Sequence, residues 1–456
     1  RAQRSASGTD IPLVRQSWPM SLVVDHLCRL IQFDTTNRAP GDANGERECA
    51  EWIADRIRST GFEPVVLAPD DAPHRASVVV RIAGRDRSLP ALLVQGHTDV
   101  VPAEPQQWSV DPFAGVVKDG FVIGRGAMDM LDTVASALAT IEEWAASGER
   151  PRRDVVFAFV ADEETDGRFG AGWLVSNHPE LFEGVEAAIG EDGAMYQPVI
   201  RPDGSPLHLY QIACAERGMM QFRITATGTS GHGSRPRGDD AITKLVACLH
   251  RISEQRWPLR LTPVVEAQLI ATAKALGMDV DLTDEASIMA VPAALGEYAG
   301  ALPFTVRTSS VATIINAGYK VNVIPGVATA EVDVRVPPGC DDEVHETLTR
   351  LIGDDVEWEY TSRSAGIASP LDGPWFDAMA AALRAADPEA VVVPYCMGGG
   401  TDAKSFSKLG ISCYGFTPHT PAAVGIAANY HGVDERIPVE ALEGGHAVLR
   451  EFLVTV

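Results

Sequence analysis

Three short apolar runs in this chain each end in side chains able to ligate a cation or move a proton. His97 and Asp99 follow ALLVQG, Asp162, Glu163 and Glu164 follow VVFAFVA, and Glu191 and Asp192 follow VEAAIG. Any single strand must reach solvent somewhere, and charge marks that point. A parallel sheet, however, binds its ligands at the carboxyl ends of its strands, and three such ends together point to a ligand site. In His97-Thr98-Asp99 the two-residue spacing puts both side chains on one face of an extended segment. The carboxylate can then accept the second N–H of the imidazole, as the partner of a metal-bound histidine usually does. Asp129, in GRGAMDM, sits on a glycine-rich turn before an expected helix, where a short carboxylate with both oxygens free can bridge two cations. GRGAMD ends on Asp where a dinucleotide cradle needs Gly, so phosphate binding is not expected. The adjacent acids Glu163 and Glu164 point to different sides, which allows one to ligate while the other serves as general acid and base. His431, in NYHGVDERIP just before a helix start at Pro438, reads alone more readily as a structural histidine than as a ligand.

These residues need elements to position them. Apolar residues recur at helical spacing from Met20 to Phe33 and from Glu46 to Thr60, where Gly61 is placed to stop the segment. Strand-like runs at Ser77 to Ile82, Ala91 to Val94, Val155 to Val160 and Val185 to Ile189 alternate with helical patterns such as Asp132 to Ala146. That alternation marks an α/β domain with a mostly parallel central sheet. From about Ile212 the order becomes β-α-β-β-α-β, the split βαβ or ferredoxin-like arrangement, and α/β texture returns after Gly366. A smaller domain, residues 213–364, is therefore expected inside a larger one made of residues 1–212 and 365–456. An irregular insertion, about Trp257 to Thr308, lies within the smaller domain.

Lys plus Arg total 38 against 62 for Asp plus Glu, a net charge of −24, and so acidic a surface repels phosphate backbones and anionic headgroups. No apolar stretch approaches the roughly 20 residues that span a bilayer. Nucleic acid and membranes are thus not expected partners. Seven scattered cysteines with no C-x-x-C spacing suggest neither a disulfide framework nor a thiolate zinc site, and a cytoplasmic setting is expected. The start, RAQRSASGTD, is basic and polar without an apolar h-region and reads as a loose arm.

In order along the chain stand GHTDVVP, GRGAMDM, ADEETDG, GEDG, SGHGS, NVIPG followed by DVRV, GGGTDA and a histidine near the end. This set resembles the co-catalytic zinc peptidase and amidohydrolase family that includes aminoacylase, glutamate carboxypeptidase, succinyl-diaminopimelate desuccinylase and acetylornithine deacetylase. The resemblance implies a zinc-peptidase-like catalytic domain with an inserted lid and dimerisation domain, and two Zn²⁺ per subunit, with Co²⁺ or Mn²⁺ compatible with the same donors. His97, Asp129 and Glu191 would hold one ion, and Asp129, Glu164 and His431 the other. Glu191 rather than Asp192 is preferred as ligand because AAIGE matches the family segment. Glu163 would be the general base, Asp99 the orienter of His97, and His232 in SGHGS a residue carried into a partner subunit's site. Arg335 and Asn322 would face the substrate from the smaller domain, while Gly399, Gly400 and Thr401 would line the pocket. A cis peptide bond is expected after Asp129. Two zinc ions bring +4 and the carboxylates of Asp129, Glu164 and Glu191 bring −3, so a bound hydroxide leaves the core neutral.

The implied reaction is hydrolysis of the amide bond of an N-acyl amino acid or small peptide with a free carboxylate, in a homodimer joined through the lid. A carbamoyl or ureido amidohydrolase would use the same metals, and a catalytically retired, metal-stabilised binding protein is the rival from another class. Two departures bear on substrate. Many relatives read D-M-K-G after the bridging acid where this chain has Met130, Leu131 and Asp132, and Asn-Glu beyond the last histidine where it has Asp434 and Glu435.

Overall fold

The computed structural model describes residues 21–423 and 430–456, so the RAQRSASGTD arm lies outside the described residues. Helices form where the apolar spacing placed them. Leu22–Ile31 buries Val23, Val24, Leu27, Leu30 and Ile31, and Arg47–Ser59 buries Cys49, Ile53 and Ile57. The second stops ahead of Gly61, whose φ of +86° continues no helix. Leu131–Ser147, buried along nearly its whole length, packs against the first of these and against the closing helix Val439–Thr455.

A ten-stranded mixed sheet runs Tyr196–Ile200, Pro206–Glu216, Ser412–Gly415, Val185–Gly190, Ala91–His97, Val155–Val160, Ser77–Ile82, Val65–Leu67, with Ile367–Ala368 and Ala390–Met397 also paired to Pro206–Glu216. Its centre is parallel: Ser412–Gly415, Val185–Gly190, Ala91–His97 and Val155–Val160 run side by side in one direction. Strands that share a direction end at one edge of the sheet, so His97, the acids after Val160 and those after Gly190 emerge together. The flanking pairs are antiparallel.

The chain leaves this sheet at Glu216 and enters a four-stranded antiparallel sheet of order Ser309–Ala317, Val327–Val336, Gly218–Thr227, Glu357–Ser364. Val327–Val336 buries alternate residues, the period-two pattern of a strand with one covered face. Helices Ala241–Ser253 and Asp341–Ile352 close a separate core around Phe222, Ile224, Leu245 and Leu348. This is the expected ferredoxin-like unit. The outgoing and returning strands touch where they cross: a Cβ on Gly218 would lie 2.8 Å from Gly366 N, and one on Gly366 would lie 2.9 Å from Gly218 N.

The segment expected to be irregular and counted within residues 213–364 is helical, in Pro263–Leu276 and Glu285–Leu295. It packs on the large domain: Val265, Leu269, Ile288 and Val291 join the core cluster of the ten-stranded sheet. The reason is an open edge. Among the described residues Ala390–Met397 pairs only with Pro206–Glu216, and an unpaired edge needs a cover. Pro263–Leu276 supplies it, with Gln268 Oε1 accepting from Cys396 N at 3.3 Å. Among the described residues no helix is long and apolar enough to cross a membrane.

Candidate metal centre

Asp129 is the hinge of the site. Its Oδ1 lies 3.0 Å from His97 Nε2 and its Oδ2 lies 3.0 Å from His431 Nε2, so one carboxylate offers an oxygen to each histidine. Glu164 Oε2 stands 3.5 Å from His431 Nε2, and Glu191 Oε2 stands 3.9 Å from His97 Nε2. Ligand atoms about 2.0 to 2.1 Å from a tetrahedral ion lie roughly 3.3 Å from one another, and these separations bracket that spacing. His97, Asp129 and Glu164 present ligand atoms within 4.8 Å of each other, and so do His97, Glu163 and Glu191. The two oxygens of Asp129 sort these overlapping groups into a His97 side, with Glu191, and a His431 side, with Glu164. Glu163 Oε2, 4.0 Å from His97 Nε2, sits at the first of them. The peptide bond between Asp129 and Met130 is cis, as expected.

Charges crowd here. Burial, then the neighbouring acids, push the carboxyls of Glu163 and Glu191 well above the usual range, and burial raises Glu164. Asp129 is held low despite burial, by the two histidines. Burial works against protonation of His97, but the bond to Asp129 and the charges of Glu163 and Glu191 outweigh it and hold the imidazole well above its ordinary value. His431 is raised to about 10, first by its bond to Asp129 and then by Glu164. Glu164 Oε1 and Glu191 Oε2 are buried without a hydrogen-bond partner, which is costly for a carboxylate oxygen unless a cation completes it. Imidazole and carboxylate donors with no thiolate suit a divalent zinc, cobalt or manganese ion. The residues fit a metal pair.

The sequence argument for Asp99 needs correcting in detail. His97 Nδ1 donates to the backbone carbonyl of Asp99 at 3.0 Å, while the carboxylate is 3.7 Å away. The strand ends at His97, so the alternation that would align the two side chains ends there too. A carbonyl only accepts, so Nδ1 carries the proton and Nε2 is left for a cation. The Asp99 carboxylate instead accepts from the backbone N–H groups of Glu163 and Glu164, both at 3.1 Å, and from Asn37 Nδ2 at 2.9 Å. It thereby fixes the acidic loop.

Behind that loop lies a buried network which sequence reasoning missed. Asn37 Nδ2 also reaches Asp162 Oδ1 at 3.2 Å, and Arg75 bridges Asp162 at 3.0 Å to Glu46 at 2.7 Å. Glu435, noted only as a departure, accepts from Met128 N at 2.8 Å and from Asp129 N at 3.3 Å, and its other oxygen accepts from Arg125 at 2.6 Å. Arg125 in turn donates to the His431 carbonyl at 3.2 Å. Glu435 thus ties the turn that carries Asp129 to the loop that carries His431. Asp132 pairs with buried His419 at 2.8 Å.

The remaining expected residues fall outside this cluster. Thr401 is turned away, its backbone N and hydroxyl bonded to Glu216 at 3.0 and 2.6 Å. Gly400 backs onto Lys404, and the cavity beside Asp129 and Glu191 is walled by Met397 rather than Gly399. Its walls include Met128, Met130 and Tyr430, chain neighbours of Asp129 and His431 in GRGAMDM and NYHGVDERIP to which sequence reasoning gave no role. His232 is exposed and bonded to Ser234 at 2.9 Å, and its strand pairs with Val323–Ile324, so Asn322 is its neighbour. Arg335 gives Nε to Asp333 at 2.9 Å. Among the described residues no bond joins His232, Asn322 or Arg335 to the metal ligands.

The comparisons agree with this geometry. The sequence model of Peptidase family M20/M25/M40 matches residues 93–455. The human N-fatty-acyl-amino acid synthase/hydrolase PM20D1 is 30% identical over 395 residues, covering 83% of this chain and 78% of that protein. Aminoacylase-1 of Sus scrofa is 27% identical over 375 residues, 80% of this chain and 79% of its own. In fold, the M20 family metallo-carboxypeptidase Sso-CP2 from Sulfolobus solfataricus superposes with a TM-score of 0.72 at 18% identity, over 95% of this chain and 99% of that one. With histidines at both oxygens of one aspartate and the family match running from residue 93 to 455, the chain belongs to peptidase family M20/M25/M40 and is a metal-dependent hydrolase of C–N bonds.

Proposed function

We propose that the enzyme hydrolyses the amide bond of an N-acyl amino acid or small peptide with a free carboxylate, using two zinc ions held by His97, Asp129, Glu164, Glu191 and His431. The observation that carries the reading is the sharing of Asp129 between two histidines at 3.0 Å each, with Glu163 beside them. The names of the human and porcine relatives support an acyl-amino acid. Cobalt or manganese suits the same donors.

Bound there, divalent metal would supply a water acidified from about 15.7 to about 7 and a Lewis acid for the scissile carbonyl. Glu163, buried and free of any ligand duty in this assignment, takes the proton of the attacking water and passes it to the leaving nitrogen. Its raised proton affinity suits that traffic. Arg335 keeps its Nη groups clear of other bonds among the described residues, having given only Nε to Asp333. A guanidinium fork grips a carboxylate in two parallel bonds, and in a chain of net charge −24 a local cation is what draws an anion in.

His232 and Asn322 are exposed on the four-stranded unit, and we assign His232 to the site of a second subunit. Support for a homodimer comes from an apolar face. The edge strand Ser309–Ala317 exposes Val311, Ile314 and Ile315, and the helix beside it exposes Ile242 and Val246. We place the enzyme in the cytoplasm, a reading supported by seven cysteines that are all unpaired.

A panel of acyl-amino acids, dipeptides and ureido acids, run with metal analysis of the purified protein, tests the proposal. Two metal ions per chain with turnover of the first two classes is expected. Turnover confined to ureido acids would move the enzyme to the amidohydrolase reading, and a metal-loaded protein inert on all three would move it to the binding-protein reading.

A further inference from the structure

Two cavities meet at Asp192, which lines both. The first, about 220 Å³, lies against Asp129 and Glu191 and has apolar walls of Met128, Met130, Met397 and Tyr430. The second, about 160 Å³, is bounded by Gln197, Gln211 and Tyr395 of the large sheet and by Gly300 and Ala301 of the helical insertion. Met195, in the wall of the second, accepts the Tyr430 hydroxyl of the first at 3.2 Å, so the two share a partition. The insertion is seated closely here, since a Cβ on Gly398 would come within 2.9 Å of the Ala301 Cβ.

The second cavity is polar and unsatisfied. Gln211 Nε2, a donor, and Gln197 Oε1, an acceptor, are both buried without a hydrogen-bond partner. Gln268, on the insertion helix itself, has its acceptor matched by Cys396 N. The Asp192 carboxylate accepts from Tyr395 and from Gly193 N at 2.7 Å, at the boundary between the two spaces. An occupant must therefore bring both an acceptor for Gln211 and a donor for Gln197. A carboxylate brings no donor for Gln197 Oε1. An ammonium leaves Gln211 without an acceptor, and an alkyl end leaves both amides unpaired. A carboxamide satisfies the whole set.

We propose that this cavity is a subsite for the far end of the substrate's acyl group, and that it takes a neutral hydrogen-bonding end, a carboxamide above all. The assignment rests on the acyl-amino acid reading: Arg335 on the four-stranded sheet takes the leaving carboxylate, and no residue of that sheet lines the cavity. The acyl chain passes the methionine walls beside the metals and ends among Gln197, Gln211 and the insertion. In this chain the insertion thus acts as a specificity element as well as an edge cover.

The test is a series of N-acyl amino acids of increasing acyl length, each made with a carboxamide end and with its branched methyl isostere, as succinamoyl against 4-methylpentanoyl. A plain acetyl substrate serves as reference. At one length of the series kcat/KM is expected to favour the carboxamide roughly tenfold, the worth of two matched hydrogen bonds. Gln211→Leu and Gln197→Leu should each bring that ratio to within about twofold of one, and Gln197 is the less buried of the two should the first variant not fold. A wild-type ratio near one at every length, with the acetyl substrate still turned over, means that the cavity holds only solvent and overturns the proposal. Failure to hydrolyse any member, acetyl included, overturns the acyl-amino acid reading beneath it.

Discussion

A proton and a metal ion compete for one nitrogen at His431. Asp129 and then Glu164 raise the imidazole to about 10, so in the metal-free protein it stays charged where an ordinary histidine would not. A histidine raised in this way stabilises the fold fully below about pH 6.5 and loses that contribution as pH climbs through its folded value. The buried carboxyls of Glu163, Glu164 and Glu191, raised by burial, act in the same direction, because the native state holds protons that the unfolded chain has released. Metal binding expels those protons and tightens as pH rises. The Tm of chelator-stripped protein should therefore fall from about pH 6.5 towards about pH 10 while that of the loaded protein does not. Scanning calorimetry on the two forms should show the gap widening, and a gap that narrows would contradict the ligand assignment. At Glu163 the expectation is sharper. Glu163→Ala should keep two metals per chain by elemental analysis yet lose turnover by a factor of about 10² or more, and undiminished turnover would remove Glu163 as the base. Four of the five proposed ligands were legible because each follows a strand or sits on a glycine-rich turn, whereas His431 came in only with the family resemblance. The network of Asn37, Glu46 and Arg75 was not legible, because its members are far from the motifs and meet Asp99 and Asp162 only in space.

Among the elements, the strands of the parallel centre were readable as continuous apolar runs, since burial on both faces removes any alternation. Their ends, and so the edge on which the site opens, followed from that. The helical insertion escaped because its sequence mixes contrary signals: a proline at Pro292 within a helix, and glycines at Gly277, Gly296 and Gly300 breaking an otherwise apolar stretch. Its role depended on a fact no local pattern holds, namely that Ala390–Met397 has an open edge. Leu269 is 0% exposed on the covering face of Pro263–Leu276. Leu269→Ala should cost about 2 to 5 kcal/mol in urea unfolding. Amide exchange should rise along Ala390–Met397 and its cover, and leave the strands of the four-stranded sheet protected. Loss of protection in the four-stranded sheet instead would assign the insertion to the smaller unit, as its place in the sequence suggested.

At the scale of the molecule, the proposed placement of His232 in a second subunit's site is open to test. His232 lies exposed on the four-stranded unit and bonds only its neighbour Ser234 among the described residues. A long edge strand with Val311, Ile314 and Ile315 exposed is a surface that proteins seldom leave uncovered, and pairing of two copies there is the dimer proposed above. Two experiments separate this from a self-sufficient monomer. Ile315→Lys places a charge in the middle of the edge, and it should shift sedimentation from dimer to monomer and reduce activity together. In the second, Glu163→Ala and His232→Ala, each poorly active alone, are unfolded and refolded as a mixture. Random pairing makes half of the dimers mixed, and each mixed dimer holds one site with both an intact Glu163 and an intact incoming His232, so activity should recover to roughly a quarter of wild type. The same mixture of monomers that supply their own His232 would contain no intact site at all, and no recovery would appear.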